Sequence, residues 1–452
     1  MRTAEKTKFT PVEHLLLLGS LVLILSLAFE GTATTNAMPT IITELGGDQW
    51  YSLAAGMKMA GQIISIVIAG WWADRYGAGR PLVVGMIAFA AGALLAGMAP
   101  ALWMFVAGRA IAGLGSGLIM VPLYVMVGGI ASPGKRPTFF AVFSFGWALP
   151  AIVGPSIAGF IVELWGWRPV FWLVAVVALL ALAPLAPLFK RLPEHREVNT
   201  PAPPVLVGAV LTSIGIMALQ VSGGLSGASA LIAIAVGVVL IAVSMPGLLP
   251  KGTFRAKEGV AAVVGMRVAL MGSITGVQFF LPLVLSRVHG WTPTQTGWAI
   301  AIGTTAWAIG AWAQTQVRPW DKRTRIPVVA AGLLIAGAVL ALTMPLVSVP
   351  PYVSVIGISL MGLGQGFAHA TSSDLALGVT AQSKHGEISA SVQLADSIGP
   401  ALTMGFISIA FSAWERLTES TPYIAAPGVS LILAVLMLFA ALRIIGLQRR
   451  QD

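Results

Sequence analysis

Gly70-Trp71-Trp72-Ala73-Asp74-Arg75-Tyr76-Gly77-Ala78-Gly79-Arg80 is the stretch from which the fold can be read. Its charged side chains, Asp74, Arg75 and Arg80, lie between two apolar runs at 51–72 and 81–99. Each run has about the 20 residues that a helix needs to cross a bilayer. The stretch is therefore a tight turn at a membrane surface, and Gly77 permits the backbone conformation that such a turn needs. The same alternation continues outward in both directions. Fourteen apolar runs are predicted, at roughly 14–42, 51–72, 81–99, 101–130, 138–163, 168–189, 204–222, 228–249, 259–286, 295–316, 326–345, 350–379, 387–413 and 424–446. The first is not expected to be a cleaved signal peptide, because it is too long and carries Glu30 and a Thr/Asn cluster.

Composition agrees with this reading. Only 10% of the 452 residues are charged, against about 25% in an ordinary soluble domain, and 57% are hydrophobic. Mean hydropathy is +0.87. A soluble chain of this length could not solvate that much apolar surface with so few charges. Disordered and disulfide-built classes are excluded with it, since the chain is too apolar for the first and has no Cys for the second. The net charge of +10 follows membrane topology. With the N-terminus placed in the cytoplasm, the inner segments hold 21 of the 27 Lys and Arg. The outer loops hold only Arg168, Arg287 and Arg416. This positive-inside asymmetry puts both termini in the cytoplasm and assigns the basic charge to anionic lipid, with no nucleic-acid partner. Twelve spans would satisfy the same parity as fourteen.

The chain is duplicated. Gly113-Leu114-Gly115-Ser116-Gly117 in span 4 returns as Gly362-Leu363-Gly364-Gln365-Gly366 in span 12. Gly154-Pro155 in span 5 returns as Gly399-Pro400 in span 13, and Pro39 has a counterpart in Pro282. Spans 1–6 thus repeat as spans 9–14, with spans 7 and 8 between them. Two six-helix repeats around a central cavity are one architecture of secondary transporters. The Pro- and charge-rich stretch Lys190–Pro203 reads as a boundary. Three units are expected: a first bundle at 1–190, a linker with two inserted helices at 191–250, and a second bundle at 251–452.

The opening stretch resembles the signature loop of the major facilitator superfamily, G-x-x-x-D-R-x-G-x-x-R or K. The resemblance implies that Asp74, Arg75, Gly77 and Arg80 form a cytoplasmic gate whose charge-assisted bonds break as the halves rock. The counterpart after span 10, Asp321-Lys322-Arg323-Thr324-Arg325, is degenerate. Arg109 with Gly113 and Gly115 resembles the family's span 4 motif, R-x-x-Q-G-x-G, with Ala112 in place of Gln. Pro150 to Gly159 is similar to the span 5 antiporter motif, G-x-x-x-G-P-x-x-G-G, through Gly154, Pro155 and Gly159. Pro150 and Ala158 replace two of its glycines. These glycines also suit close helix packing without any transport role. Glu30-Gly-Thr32 followed by Asn36-Ala37-Met-Pro39 resembles the first-span motif of the fourteen-helix drug:proton antiporters, with Glu for the usual Asp. Gly166-Trp167-Arg168-Pro169 before span 6 and Phe280-Leu281-Pro282-Leu283 in span 9 resemble the same branch.

Ionisable residues within spans are costly unless paired or hydrated, so each is a functional candidate. Glu30 lies roughly 18 Å from the outer end of span 1 at about 1.5 Å per residue. Desolvation and a nearby cation act on its ionisation in opposite senses, so it can take up a proton in one conformation and release it in another. Arg109 lies about 12 Å below the outer end of span 4, and the resemblance, which implies that spans 1 and 4 both line the cavity, makes it the expected partner. Glu30 and Arg109 are therefore assigned to proton coupling. Lys58 either snorkels outward or joins them as a structural charge. In the second half, Asp396 and Arg267 lie at similar depth and are expected to pair, as a conformational lock or a proton-transfer pair. His369 is read as a hydrogen-bonded cavity residue or a proton relay. Asp374 lies nearer the inner end, as a hydrated or gate residue. Asn36, Trp147, Trp307 and His369 are the candidates to line a substrate cavity.

No nucleotide loop, zinc-protease pattern or nucleophile elbow occurs, so the chain is not expected to be an enzyme and no metal site or cofactor is expected. Taken with the resemblance, these features imply an all-α membrane protein of the major facilitator fold. It would have two six-helix bundles, two inserted helices, 14 transmembrane helices and cytoplasmic termini. The implied activity is antiport, driven by the proton gradient, exporting amphipathic small molecules from a bacterial plasma membrane, with the protein acting as a monomer. A lipid or glycolipid exporter of the same fold is the alternative, and a non-transporting membrane sensor stands behind it.

Overall fold

The computed structural model describes residues 9–191, 204–257, 259–317, 323–378, 385–417 and 422–448. Fourteen long helices occur among them. In the first half these are α1 (Pro11–Leu45), α2 (Tyr51–Tyr76), α3 (Gly79–Gly97), α4 (Leu102–Ile130), α5 (Arg136–Trp165) and α6 (Arg168–Leu180). A short helical turn, Leu182–Leu185, extends α6. The inserted pair is α7 (Pro204–Ser222) and α8 (Gly227–Ser244). The second half has α9 (Val260–Arg287), α10 (Pro293–Ala313), α11 (Ile326–Ala341), α12 (Tyr352–Gly378), α13 (His385–Leu417) and α14 (Ala425–Gln448). Twelve of the described helices are long and apolar enough to cross a membrane. The exceptions are α10 and α11. The first carries Thr294, Gln295, Thr296, Thr304 and Thr305. The second has only 16 residues, or about 24 Å of helix.

Local chemistry sets the helix ends. Thr10 caps α1 in a capping box with Glu13, and Pro11 opens the helix. Thr292, Pro293 and Gln295 do the same for α10. Gly77, at φ +80°, ends α2 in a conformation that a side chain would strain. The face at which α1 begins also carries Arg75, Arg80, Lys135 and Arg136, and is called the basic face. The opposite face is called the far face. At the basic face, Glu13 accepts hydrogen bonds from Lys135 Nζ at 2.7 Å and Ser132 Oγ at 2.8 Å, tying α1 to the α4–α5 connection.

The duplication is visible in the packing. α1 lies on α5 and α6, α2 on α4, α3 on α4 and α6. The second half repeats this with α9 on α13 and α14, α10 on α12, and α11 on α12 and α14. The two halves meet along two seams, α5 against α10 and α2 against α13, which a twofold rotation would exchange. The repeated glycines explain why. A Cβ at Gly113 would lie 2.1 Å from the Lys58 carbonyl oxygen, and one at Gly362 would lie 2.2 Å from that of Gly303. These glycines bring α4 onto α2 and α12 onto α10 at backbone distance. The middle glycines face the next helix, Gly115 toward Phe89 of α3 and Gly364 toward Ala330 of α11.

The inserted pair breaks the symmetry. α7 packs on both α2 and α13, so it straps one seam, while α8 packs chiefly on α7. Gln220 of α7 donates to the Ala401 carbonyl at 3.1 Å, and Ser408 of α13 donates to the Gln220 carbonyl at 2.7 Å. The outer side of α8 exposes Leu231, Ile232, Val239 and Val243, an apolar face suited to lipid. Residues 192–203, most of the expected boundary, lie outside the described residues.

Candidate functional site

Two buried charge clusters lie at opposite depths, one in each half. In the first, Glu30 of α1 stands between Arg109 of α4 and Lys58 of α2. Arg109 Nη1 donates to Glu30 Oε1, and Lys58 Nζ donates to Glu30 Oε2. Thr34 adds a hydroxyl at 3.3 Å from Oε1. Glu30 is 1% exposed and Arg109 2% exposed. Lys58 and Arg109 each lie seven residues from the far-face start of their helices, about 10 Å deep. Lys58 Nζ also lies 5.6 Å from the Phe89 ring centroid. Arg109 Nε is buried with no hydrogen-bond partner among the described residues. One buried carboxylate is thus shared by two cations, of which Lys58 keeps 12% of its side chain exposed.

The second cluster is built on Arg267 of α9, seven residues from the basic-face start of that helix. Its guanidinium grips Asp396 of α13 through two parallel bonds, Nε to Oδ1 at 2.5 Å and Nη2 to Oδ2 at 2.9 Å. Nη1 donates to the His369 carbonyl and, at 2.6 Å, to Ser372 Oγ of α12. Nη2 lies 2.6 Å from His369 Nε2. Arginine can only donate, so Nε2 accepts and the ring proton is on Nδ1. Arg267 therefore joins three helices of its half. In contrast to Glu30, the side chains of Asp396 and His369 are 28% and 34% exposed. Asp374 pairs with Arg323 at 2.5 Å near the basic face.

A cavity of about 250 Å³ lies between the halves. Trp147 of α5 and Trp307 of α10 both line it, with Thr32, Gln278, Thr304 and Gln365. None of its described lining residues is charged. Neither the two glutamines nor the two threonines are assigned to the cavity from the sequence, and Thr32 enters there only through the first-span motif. An amide in the middle of an apolar span is the signal that would have found Gln278 and Gln365. His369 belongs to the Arg267 cluster and does not line this cavity.

Asn36 does not line it either. It is 2% exposed and latches the α5–α10 seam. Its Nδ2 donates to the carbonyls of Pro155 and Pro293, both at 3.0 Å, and its Oδ1 accepts from Thr296 Oγ1 at 2.8 Å. The seam itself is reciprocal. A Cβ at Gly159 would lie 2.4 Å from the Pro293 carbonyl oxygen, and one at Gly297 would lie 2.4 Å from that of Pro155. Gly154 faces α1, 2.8 Å from Thr32 Oγ1 by the same measure. Other bonds between the halves reinforce the far face. Tyr51 donates to the Phe279 carbonyl at 2.7 Å, Thr294 to Glu163 at 2.6 Å, and Arg287 to Asp48 at 3.1 Å.

At the basic face, the opening motif is arranged around Tyr76. The Arg75 and Arg80 guanidiniums lie 5.3 and 5.6 Å from its ring centroid. Asp74 is exposed and makes no ion pair among the described residues.

A duplicated helical bundle with apolar outer faces, two seams and a cavity between its halves defines a multi-pass membrane transporter. The chain belongs to the Major Facilitator Superfamily, whose family model matches residues 20–404 and 263–449. A multidrug resistance protein B homolog of Mycobacterium tuberculosis is 24% identical over 420 residues, covering 88% of this chain and 76% of that one. A multidrug transporter protein of Bacillus subtilis is 25% identical over 287 residues, covering 59% of this chain and 52% of that one. An MFS-type transporter of Mycobacterium tuberculosis is 25% identical over 304 residues, 64% of this chain but 43% of that one. The chain thus spans about half the length of several curated relatives that it matches. Among solved structures, a POT family transporter in complex with a thioalcohol-conjugated peptide aligns with a TM-score of 0.69. That alignment covers 96% of both chains at 15% identity, a likeness of fold. The family and these neighbours are transporters, not enzymes.

Proposed function

We propose that the protein is a proton-coupled antiporter that exports amphipathic small molecules by alternating access. The observation that carries this reading is the buried Glu30 carboxylate shared by Lys58 and Arg109. A proton and Lys58 compete there for one carboxylate. When the far face parts, water and protons reach Glu30 and Lys58 can leave it. When the far face closes, Lys58 returns and the proton departs toward the basic face. Each proton moved across the membrane supplies about 2.3 kcal/mol per 100 mV, so no nucleotide or other cofactor is required.

The bonds described at the far face fit a conformation closed on that side. The exposure of the Asp396 and His369 side chains fits a basic face open to water. The basic face is read as cytoplasmic, on the 21 Lys and Arg assigned to it, with both termini inside a bacterial inner membrane and all fourteen helices proposed to cross it. The cavity between Trp147 and Trp307 suits a substrate with an aromatic or apolar body, and the glutamines offer it polar contacts. The names of the multidrug relatives support the same substrate class. The protein is expected to act as a monomer. A lipid exporter would need one seam open to the membrane, and α7 fills the α2–α13 seam.

The test is transport in everted vesicles loaded with purified protein and acidified inside. Addition of an amphipathic dye should release protons from the lumen. Glu30→Gln should retain dye exchange and lose its response to the gradient. Dye movement that ignores the gradient in both proteins would refute the coupling.

A further inference from the structure

We propose that the inserted helices create a binding site for one anionic phospholipid, outside the transport cavity and distinct from the cargo. A groove of about 1020 Å³ lies where α8 stands off from the second half. Its walls are apolar, with Val238 and Ala242 from α8, Ala269 from α9, Phe406 from α13 and Leu433 from α14. At its basic-face end three cations converge. Arg255 and Lys257 come from the α8–α9 connection, and Arg443 comes from α14. Arg443 Nη1 donates to the Arg255 carbonyl at 3.0 Å, which clasps the connection to α14 and holds the cations on one rim. The groove's described lining includes no acidic residue. Glu258, beside Lys257, lies outside the described residues.

The dimensions match a lipid in one leaflet. Arg443 and Leu433 are ten residues apart on one helix, about 15 Å. That is half of the roughly 30 Å hydrocarbon core. A cationic rim over an apolar slot one leaflet deep complements a negative headgroup and its acyl chains. The connection is also bent to shape. Gly252 and Gly259 have φ of +94° and +79°, and Ala256, at +42°, is the one described non-glycine with positive φ. Such strain persists only where the surroundings hold it.

The test uses the purified full-length protein in native mass spectrometry, with phosphatidylglycerol, phosphatidylcholine of the same acyl chains, and inorganic phosphate as ligands. One phosphatidylglycerol should be retained in preference to phosphatidylcholine, and phosphate should not displace it. Arg255→Gln and Lys257→Gln should each weaken that retention about fivefold. Ala242→Phe, which fills the slot with every cation intact, should weaken it as well. Equal retention of the two lipids, unchanged retention in the charge variants, or displacement by phosphate would overturn the proposal. If the variants do not fold, photoreactive phosphatidylglycerol on the unaltered protein decides. Adducts concentrated at 238–245, 253–269 and 433–443 support the site, and adducts spread evenly over the helices overturn it.

Discussion

The α5–α10 seam can be forced apart by a single methyl group. Gly159→Ala would place a carbon 2.4 Å from the Pro293 carbonyl oxygen, where ordinary contact begins at 3.4 Å. The obstacle is backbone, so no side-chain rotation relieves it. The helices must separate by about 1 Å, and this also pulls Pro155 and Pro293 away from Asn36. Overpacking of this kind costs about 1–3 kcal/mol. The cost falls only on the conformation in which the seam is closed, so populations should shift toward the far-open one by roughly five- to 150-fold. The chain contains no Cys, so a single reporter thiol is unambiguous. Thr296→Cys places it at a position 1% exposed, on the helix opposite the perturbation. The assay is the rate of reaction with a membrane-impermeant maleimide added outside intact cells. Gly159→Ala should raise that rate by at least fivefold over the Thr296→Cys parent. Asn36→Ala, which removes the latch without adding bulk, should raise it in the same direction. A rate within twofold of the parent in both would refute the idea that this seam is the far-face gate.

Removing the Glu30 charge leaves two buried cations, so Glu30→Gln should cost about 3–5 kcal/mol of stability in thermal unfolding. Lys58→Met in that background should recover part of the loss, and a strictly additive double variant would deny the shared cluster. Arg267→Lys replaces a fork that holds Asp396, Ser372 and His369 by a point charge, so it should lower stability by about 2 kcal/mol or more despite keeping the charge. Unfolding temperatures equal to the parent's would show that the fork geometry is idle. Trp147→Ala and Trp307→Ala should each raise the KM for an aromatic substrate about tenfold, in keeping with roughly 1–2 kcal/mol for a lost aromatic contact. If KM is unchanged in both, the cavity between them is not the substrate site.

Much of this fold was legible because membrane helices obey a one-dimensional rule. Twenty apolar residues and the distribution of Lys and Arg carry most of the information, and the helices follow the apolar runs closely. Partners inside the membrane were partly legible for a related reason. A buried charge requires another, so Asp396 could be matched with Arg267 by depth, while Glu30 was matched with Arg109 through the family resemblance of spans 1 and 4. Depth alone could not give Lys58 its place. That depends on Gly113, whose missing side chain lets α4 lie against the Lys58 backbone. Asn36 is the opposite case. Its amide looked like a cavity group because polar side chains in spans usually face a cavity. Its actual partners are the carbonyls of Pro155 and Pro293, and nothing in the order of the chain shows that these two backbones meet.

The asymmetry between the two seams narrows how the halves can move. A twofold rotation exchanges α5–α10 with α2–α13, and a fully symmetric pair of bundles would rock equally on both. Here one seam is a glycine-to-backbone contact held by a few side-chain hydrogen bonds, from Asn36, Thr294 and Thr304, which can part without unfolding anything. The other is bridged by α7, which bonds to α13 through Gln220 and packs on α2 at Gly56, where a Cβ would meet the Gln220 amide at 2.3 Å. Motion that opened the far face would therefore swing most at α5–α10 and least at α2–α13, with α7 as the strap. The buried charges are arranged for such a swing. The Glu30 cluster joins α1, α2 and α4 within one half, and the Arg267 cluster joins α9, α12 and α13 within the other. Neither bridges the halves, so each bundle can turn as a unit while its own charges stay paired.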